Sequence, residues 1–250
     1  MAFNISLEKL IQGGAHFGHQ VRRWNPKMEE FIYGSRKGVH LFDLTKTKDC
    51  LEDALNELKR AAKDGKSILV VGTKKQIKDK VKEIADECSI FYVNERWLGG
   101  TLTNFDQIKK SVSKLEQMQE EMKSGLYVKY TKKERLLLER EIQRLNRYFS
   151  GLKGMDKLPD LLIIFDIRKE RGAVKEAGFK KIETIAVVDS NCDPTEVDFP
   201  IPMNDDAKKA LEYVLDLFKE AIMEGKGMKN TSTDEQQKKL KKINGESKKN

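Results

Sequence analysis

Tyr92-Val93-Asn94-Glu95-Arg96-Trp97-Leu98-Gly99-Gly100-Thr101-Leu102-Thr103-Asn104-Phe105 decides the reading of this chain, because it joins two regions of different character. Before it, Ile90 to Val93 is an apolar run that reads as a buried strand. After it comes a long, charged stretch with helical periodicity. The two glycines allow positive φ and a tight backbone. Thr103 or Asn104 can cap the helix that follows. Trp97 and Leu98 are too apolar to stand free in a loop. Two readings of the corner stay open. In one it is a strand-to-helix corner packed by its tryptophan. In the other it is a rigid docking corner, with Arg96 and the backbone amides turned toward a polyanion.

Outward from the corner, strand and helix alternate. Ser67-Ile68-Leu69-Val70-Val71-Gly72 is apolar on both faces, as strands of covered parallel sheets are. A helix is predicted over 74–87, carrying Ile77, Val81 and Ile84. Leu161 to Asp166 and Thr184 to Asp189 read as two more strands, separated by a helix near 170–179. A helix over 205–223, bearing Ala210, Val214, Leu217 and Ile222, closes the unit. The alternation predicts an α/β fold with a doubly wound parallel sheet.

Residues 106–150 interrupt the alternation. Ile108, Val112, Leu115 and Met122 keep one helical seam, with Gln119 at one of its positions. Leu138, Ile142, Leu145 and Phe149 keep a second. Thr131-Lys132-Lys133-Glu134 has the form of a capping box, and Gly125 marks a turn. The pattern predicts an antiparallel coiled-coil hairpin inserted between strands. Lys109, Lys110, Lys114, Lys132, Lys133, Arg135, Arg140, Arg144 and Arg147 lie off the seams and outnumber the acids there. Such a run is either a solvated face or a side that meets RNA.

The N-terminal part begins with a short helix over 6–12, with Ser6 as N-cap, stopped by Gly13-Gly14. Ala15 to Met28 then mixes cations, aromatics, glycine and proline without periodicity, which reads as a loop. Arg22, Arg23 and Lys27 in it can meet phosphates, and Trp24 can pack or stack. Phe31 to Tyr33, a basic turn with Arg36 and Lys37, and Val39 to Phe42 read as strand, turn, strand. An amphipathic helix follows, with Leu51, Ala54, Leu55 and Leu58 on one face. The expected division is a discontinuous α/β domain over 1–105 and 151–226, the helical insertion at 106–150, and a disordered lysine-rich tail over 227–250.

The chain has 250 residues, 35% of them charged, a net charge of +8 and a pI near 9.1. The balance points to an anionic partner, most simply nucleic acid. Cys50, Cys88 and Cys192 are scattered, as free thiols of a reducing cytosol are. No apolar run approaches the roughly 20 residues of a membrane span, and Met1 to Leu7 lacks a secretory pattern. A cytoplasmic protein without a membrane partner is expected.

Enzyme chemistry finds little to build on. Gly72-Thr73-Lys74-Lys75 follows a strand and can greet a phosphate at a helix N-terminus. It lacks the spacing of a P-loop and the glycines of a dinucleotide fingerprint. A phosphate- or nucleotide-binding α/β protein remains the alternative reading. His16 and His19 sit three apart, and a metal there would need further ligands. Asp189-Ser190-Asn191-Cys192-Asp193-Pro194 and Asn204-Asp205-Asp206 fall where such sheets build sites, past strand ends. They are an Asx turn and a helix cap, or else a divalent-cation site of Asp189, Asp205 and His19.

His16-Phe17-Gly18-His19-Gln20, Arg23-Trp24-Asn25-Pro26-Lys27-Met28, Gly38-Val39-His40, Val71-Gly72-Thr73-Lys74, the Tyr92–Asn104 corner, Leu158-Pro159-Asp160, Asp189-Ser190-Asn191 and Asn204-Asp205-Asp206-Ala207 occur in this order. The ordered set resembles the bacterial small-subunit ribosomal protein two family across about residues 3–226. The resemblance implies a flavodoxin-like α/β domain with a protruding coiled-coil hairpin. It implies a structural, ribosome-bound protein with no catalysis and no required cofactor. It implies a place on the solvent side of the small subunit, between head and body. Small-subunit ribosomal RNA and the large messenger-binding ribosomal protein one would be its neighbours. The RNA-contacting residues expected on this combined reading are Arg22, Arg23, Trp24, Lys27, Arg36, Lys37, Lys74, Lys75, Arg96, Thr103, Asn104, Lys109 and Lys110. Phe105 stands where a second tryptophan is common, and Glu183-Thr184 replaces a usual isoleucine-proline. Both departures touch packing.

Overall fold

The computed structural model describes residues 3–227. In chain order the elements are α1 (Leu7–Gly13), β1 (Phe17–Gln20), β2 (Ile32–Arg36), β3 (Val39–Phe42), α2 (Leu44–Lys63), β4 (Ile68–Val71), α3 (Lys78–Cys88) and β5 (Phe91–Val93). Then come α4 (Phe105–Lys123), α5 (Lys132–Phe149), β6 (Leu161–Ile164), α6 (Arg171–Lys180), β7 (Glu183–Val188), β8 (Phe199–Pro202) and α7 (Lys208–Gly225).

Five strands form one parallel sheet in the order β5-β4-β6-β7-β8. Every residue of β4 and β6 is buried. The pleat sends alternate residues to opposite faces, and the core divides accordingly. Ile68, Val70, Leu161, Ile163, Ile185 and Val187 join a cluster with α1, α2, α3 and α7. Leu69, Val71, Leu162, Ile164, Ala186 and Val188 join the other, with α4, α5 and α6. The sequence expectation of an α/β fold with a parallel sheet covered on both sides therefore holds.

β8 lies at the sheet edge and was not expected. Its sequence, Phe199-Pro200-Ile201-Pro202, carries two prolines. Proline cannot donate to a ladder and argues against a strand, except at an edge, which is where β8 runs. A second, antiparallel sheet, β1-β3-β2, was also only half legible. β2 and β3 match the expected strand-turn-strand. β1 and two 3-10 turns, Val21–Arg23 and Pro26–Phe31, replace the expected loop. β1 pairs irregularly with β3, so its alternation is broken and gave no periodic signal.

The expected caps at Ser6 and Thr131 are formed. Ser6 Oγ accepts from the Lys9 amide, and Thr131 and Glu134 make both bonds of the capping box. Asn104 occupies the N-cap position of α4, yet its side chain makes no capping bond.

α4 and α5 share the second core cluster with the sheet. Ile108, Val112, Leu115, Ile142, Leu145 and Phe149 are buried as expected. Met122 is not: it is 45% exposed, and Met118 is buried in its stead. Gln119 explains the shift. Its amide donates to Asn146 Oδ1 and accepts from Lys153 Nζ, so a polar contact holds that seam position. Tyr127, returning from the turn, is buried and donates its hydroxyl to Glu121 Oε2 at 2.9 Å. Past α5, a Cβ on Gly151 would fall 2.2 Å from the Tyr92 carbonyl oxygen, so only glycine lets the chain return so close to β5. The tail expected to be disordered lies outside the described residues from 228 onward.

Candidate nucleic-acid interface

The small antiparallel sheet carries a group of exposed cations. Arg22 and Arg23 occupy the 3-10 turn after β1. Arg36 and Lys37 lie at the β2–β3 hairpin turn, where Lys37 and Gly38 have φ of 52° and 77°. Two residues at positive φ match the twist of the strands they join. All four cations are exposed. Tyr33 beside them is 81% exposed. Trp24 is half-buried and packs against His40 with ring centroids 5.0 Å apart. His40 is 8% exposed, and neither of its ring nitrogens has a partner.

Backbone bonds dock this sheet onto the C-terminal edge of the parallel sheet. The Asn25 amide donates to the Ser190 carbonyl at 2.7 Å, and the His19 amide to Ser190 Oγ at 2.8 Å. Lys27 is tied in the same place, to Asp193 Oδ2 at 2.7 Å and to Thr195 Oγ1 at 3.1 Å.

That C-terminal edge is neutralised from within. Lys74 Nζ lies 2.7 Å from Asp205 Oδ1, 2.7 Å from Asp206 Oδ1 and 3.1 Å from Asp166 Oδ2. Burial opposes its charge, but the three carboxylates hold its pKa above the usual lysine value. Asp205 is pushed up to about 7 by burial and by the charges of Asp189 and Asp166, against the pull of Lys74. His19 Nδ1 lies 2.9 Å from Asp189 Oδ1, and this bond raises the imidazole pKa against the opposing effect of burial. The structure thus gathers His19, Asp189 and Asp205, as the cation reading required. The cation it places against Asp205 is the ammonium of Lys74. Among the described residues no group of three or more His, Cys, Asp or Glu side chains is arranged to hold a metal ion.

The same geometry weakens the nucleotide alternative. Thr73 Oγ1 donates to Glu170, Lys74 faces its carboxylates, and Lys169 Nζ donates to the Thr73 carbonyl at 2.9 Å. A phosphate approaching Gly72 to Lys75 would meet Asp166, Asp205 and Asp206 first. Lys75 alone of this loop is an exposed cation.

At the corner the amides do turn toward an anion, but it is the chain's own. Glu176, from α6, accepts from Trp97 Nε1 at 3.0 Å and from the amides of Gly100, Leu102 and Thr103 at 2.9, 2.9 and 3.0 Å. The Thr103 hydroxyl donates to the same carboxylate at 3.1 Å. Burial works against its charge, and these bonds outweigh it, so the pKa falls below the ordinary value. Of the two glycines, only Gly100 has positive φ, at 91°. The docking reading of the corner amides is therefore replaced by an internal one. Arg96 and Asn104 remain exposed beside it.

On α4, Lys109 pairs with Asp156 at 3.0 Å and Lys110 is exposed. Arg144 and Arg147 are held by Glu141 and Glu95. Sequence reading missed Arg168 and Arg171. Both are exposed and line a cavity with Arg23. Their place just past the end of β6, at the start of a helix, was the signal available.

Fold and surface together define a class: a basic α/β protein whose sheet edge is closed by its own charges, with a group of free cations on an appended antiparallel sheet. A family model described as Ribosomal protein S2 matches residues 10–225. The small ribosomal subunit protein uS2 of Petrotoga mobilis is 46% identical over 222 residues, which is 89% of this chain and 77% of that one. The protein of the same name from Nitratiruptor sp. is 48% identical over 225 residues, 90% of this chain and 84% of the relative. This chain belongs to the ribosomal protein S2 family. It is a structural ribosomal protein and not an enzyme.

Proposed function

We propose that the chain is a structural constituent of the small ribosomal subunit that holds small-subunit ribosomal RNA with the antiparallel sheet β1-β3-β2. The observation that carries this is the split in its charges. Lys74 and Lys27 are bound to carboxylates at the sheet edge, while Arg22, Arg23, Arg36 and Lys37 stand exposed together. Such a cluster can neutralise phosphates and release their counterions. The matching names of the relatives support the same assignment.

The fold reads more finely as flavodoxin-like, since β5-β4-β6-β7-β8 corresponds to the order 2-1-3-4-5 of that type. On this reading α4 and α5 are a coiled-coil insertion at 106–150 in a domain made of 1–105 and 151–226. Val128 and Leu137, 73% and 54% exposed near the α4–α5 turn, supply an apolar surface of the kind proteins dock on. A neighbouring ribosomal protein, the large messenger-binding protein one among the candidates, fits the resemblance. Association with ribosomes supports a cytoplasmic location for the chain. No helix among the described residues is long and apolar enough to cross a membrane.

The test is co-sedimentation of the full chain with small subunits that lack it, across a series of salt concentrations. Binding that weakens steeply with salt is expected. Saturable binding of a free nucleotide, with no subunit binding, would replace this reading with the nucleotide alternative.

A further inference from the structure

Three arginines converge on a cavity of about 320 Å³ next to the Lys74 network but separate from it. Arg23 comes from the turn after β1, and Arg168 and Arg171 from the segment that leads β6 into α6. All three are exposed. No ion pair ties any of them among the described residues, whereas Arg60, Arg144 and Arg147 are each held by a glutamate. Guanidinium groups gathered in one cavity repel one another unless an anion lies between them.

The acids of the lining do not supply that anion. Asp193 is engaged by Lys27 at 2.7 Å and by the amide and hydroxyl of Thr195. Burial raises its pKa and these bonds prevail, so it lies below the usual value. Glu196 is the one remaining carboxylate, and it is exposed at the rim. Three arginines thus share the lining with one free acid. The first turn of α6 adds its positive end, since the N-cap Glu170 makes no side-chain bond to it.

We propose that this cavity is a phosphate site, and that the phosphate it takes belongs to an RNA backbone. The proposal rests on the ribosomal RNA reading above and extends it to Arg168 and Arg171. Guanidinium forks match phosphate oxygens two at a time, which lysines cannot do. The argument for a polymer is continuity. Arg23 belongs both to the cavity and to the exposed group of Arg22, Arg36 and Lys37. A free phosphate would use the cavity alone, and a strand of RNA would use both.

The full chain carrying Arg168→Gln and Arg171→Gln is rebound to small subunits that lack this protein, over a range of salt. The slope of log K against log salt is expected to fall by about 0.7 to 0.9 for each phosphate left unneutralised, at an unchanged melting temperature. The pair Arg168→Lys and Arg171→Lys should keep the slope and bind more weakly, because charge stays and the fork goes. It also carries the test if the glutamine variant does not fold: full-strength binding by the lysine pair would then overturn the site. If wild type binds and the glutamine variant matches it in strength and slope, the cavity is no RNA site, while the RNA reading stands. If wild type itself does not bind, that reading fails and this one with it. Inorganic phosphate forms the second arm. If it raises the melting temperature of wild type but not of the glutamine variant, and RNA binding is equal in both, the site takes a free anion and the RNA source is overturned.

Discussion

Trp97 donates its indole N–H to Glu176 Oε1 at 3.0 Å, across 79 positions of sequence. The same carboxylate takes the amides of Gly100, Leu102 and Thr103. The corner that leads from β5 into α4 is thereby fastened to α6, with which it shares a core cluster. Removing the acceptor leaves half-buried donors without partners, each costing up to a few kcal/mol less whatever water restores.

Glu176→Ala should therefore destabilise the fold by about 2–4 kcal/mol, and Glu176→Gln by less, since one acceptor oxygen remains. Denaturant unfolding measures both. An alanine variant as stable as wild type would show that the corner holds itself and that Glu176 only shields its amides.

Lys74 predicts a second stability effect. Lys74→Met leaves Asp166 and Asp205 buried without their counter-charge. Breaking such a pair costs about 3–5 kcal/mol, reduced here because Asp206 is exposed and needs no partner. The variant should melt well below wild type at neutral pH. If instead its stability is unchanged and its binding to subunits drops, Lys74 belongs to the RNA surface after all.

The contrast between Lys74 and Arg22 shows what could be read from sequence. Both are cations in loops beside motifs of the resemblance. What separates them is the chain folding Asp205 and Asp206 back, 131 and 132 positions away, onto one of them. The strands β4 to β7 were legible because burial on both faces leaves a local record, a run of apolar residues. Glu176 was not, because a single acid on a helix looks alike whether it faces solvent or a corner 73 to 79 positions distant. β8 was hidden by prolines that an edge strand tolerates. Met118 and Met122 were confused because a seven-residue repeat was assumed where a polar contact at Gln119 resets the seam.

His19 makes stability depend on pH. Its bond to Asp189 raises the folded pKa above 6.5. A histidine so shifted contributes stability that is complete below the unfolded value and is lost as pH rises through the folded one. The gap in melting temperature between wild type and His19→Gln should thus be widest below pH 6.5 and narrow as pH rises through the raised folded value. Asp205, raised to about 7, also makes the fold less stable as pH rises from its unfolded value of 3.8. The two proteins must therefore be compared at each pH, where this shared contribution largely cancels. A gap constant from acid to alkaline pH would remove His19 from the linkage.

Arg22 and Arg23 test the antiparallel sheet as the RNA surface. Their joint replacement by alanine touches no ion pair among the described residues, so stability should change by under about 0.5 kcal/mol per residue replaced. The salt slope for subunit binding should fall by about 0.7 to 0.9 per phosphate released. An unchanged slope takes these two residues out of the interface, and Arg36 and Lys37 would be next in line.

The helices α4 and α5 pose the last question, which is where the sheet domain ends. Ile108, Val112, Leu115 and Phe149 belong to the same buried cluster as Leu69 and Leu162 of the sheet. Removing all of 106–150 would strip that cluster and expose apolar surface at about 25 cal/mol per Å², so this deletion is expected to be insoluble or poorly folded. A shorter cut keeps most of the cluster and gives up only Met118 and Tyr127 of its buried members. Lys114 Nζ lies 3.3 Å from Glu141 Oε1, so the chain can be joined there. Replacing 116–140 with a short Gly/Ser linker keeps Ile108 to Leu115 and Ile142 to Phe149. It removes the exposed Val128, Leu136 and Leu137 together with Lys132, Lys133, Arg135 and Arg140. Insertions at such surface points are tolerated when the flanking backbone stays paired. The shortened chain should fold cooperatively and bind subunits more weakly, with a smaller salt slope. Binding at full strength would mean the distal charges are a solvated face, leaving the antiparallel sheet and the arginine cavity to carry the RNA contacts. A shortened chain that fails to fold would mean the two helices are part of the sheet domain along their whole length.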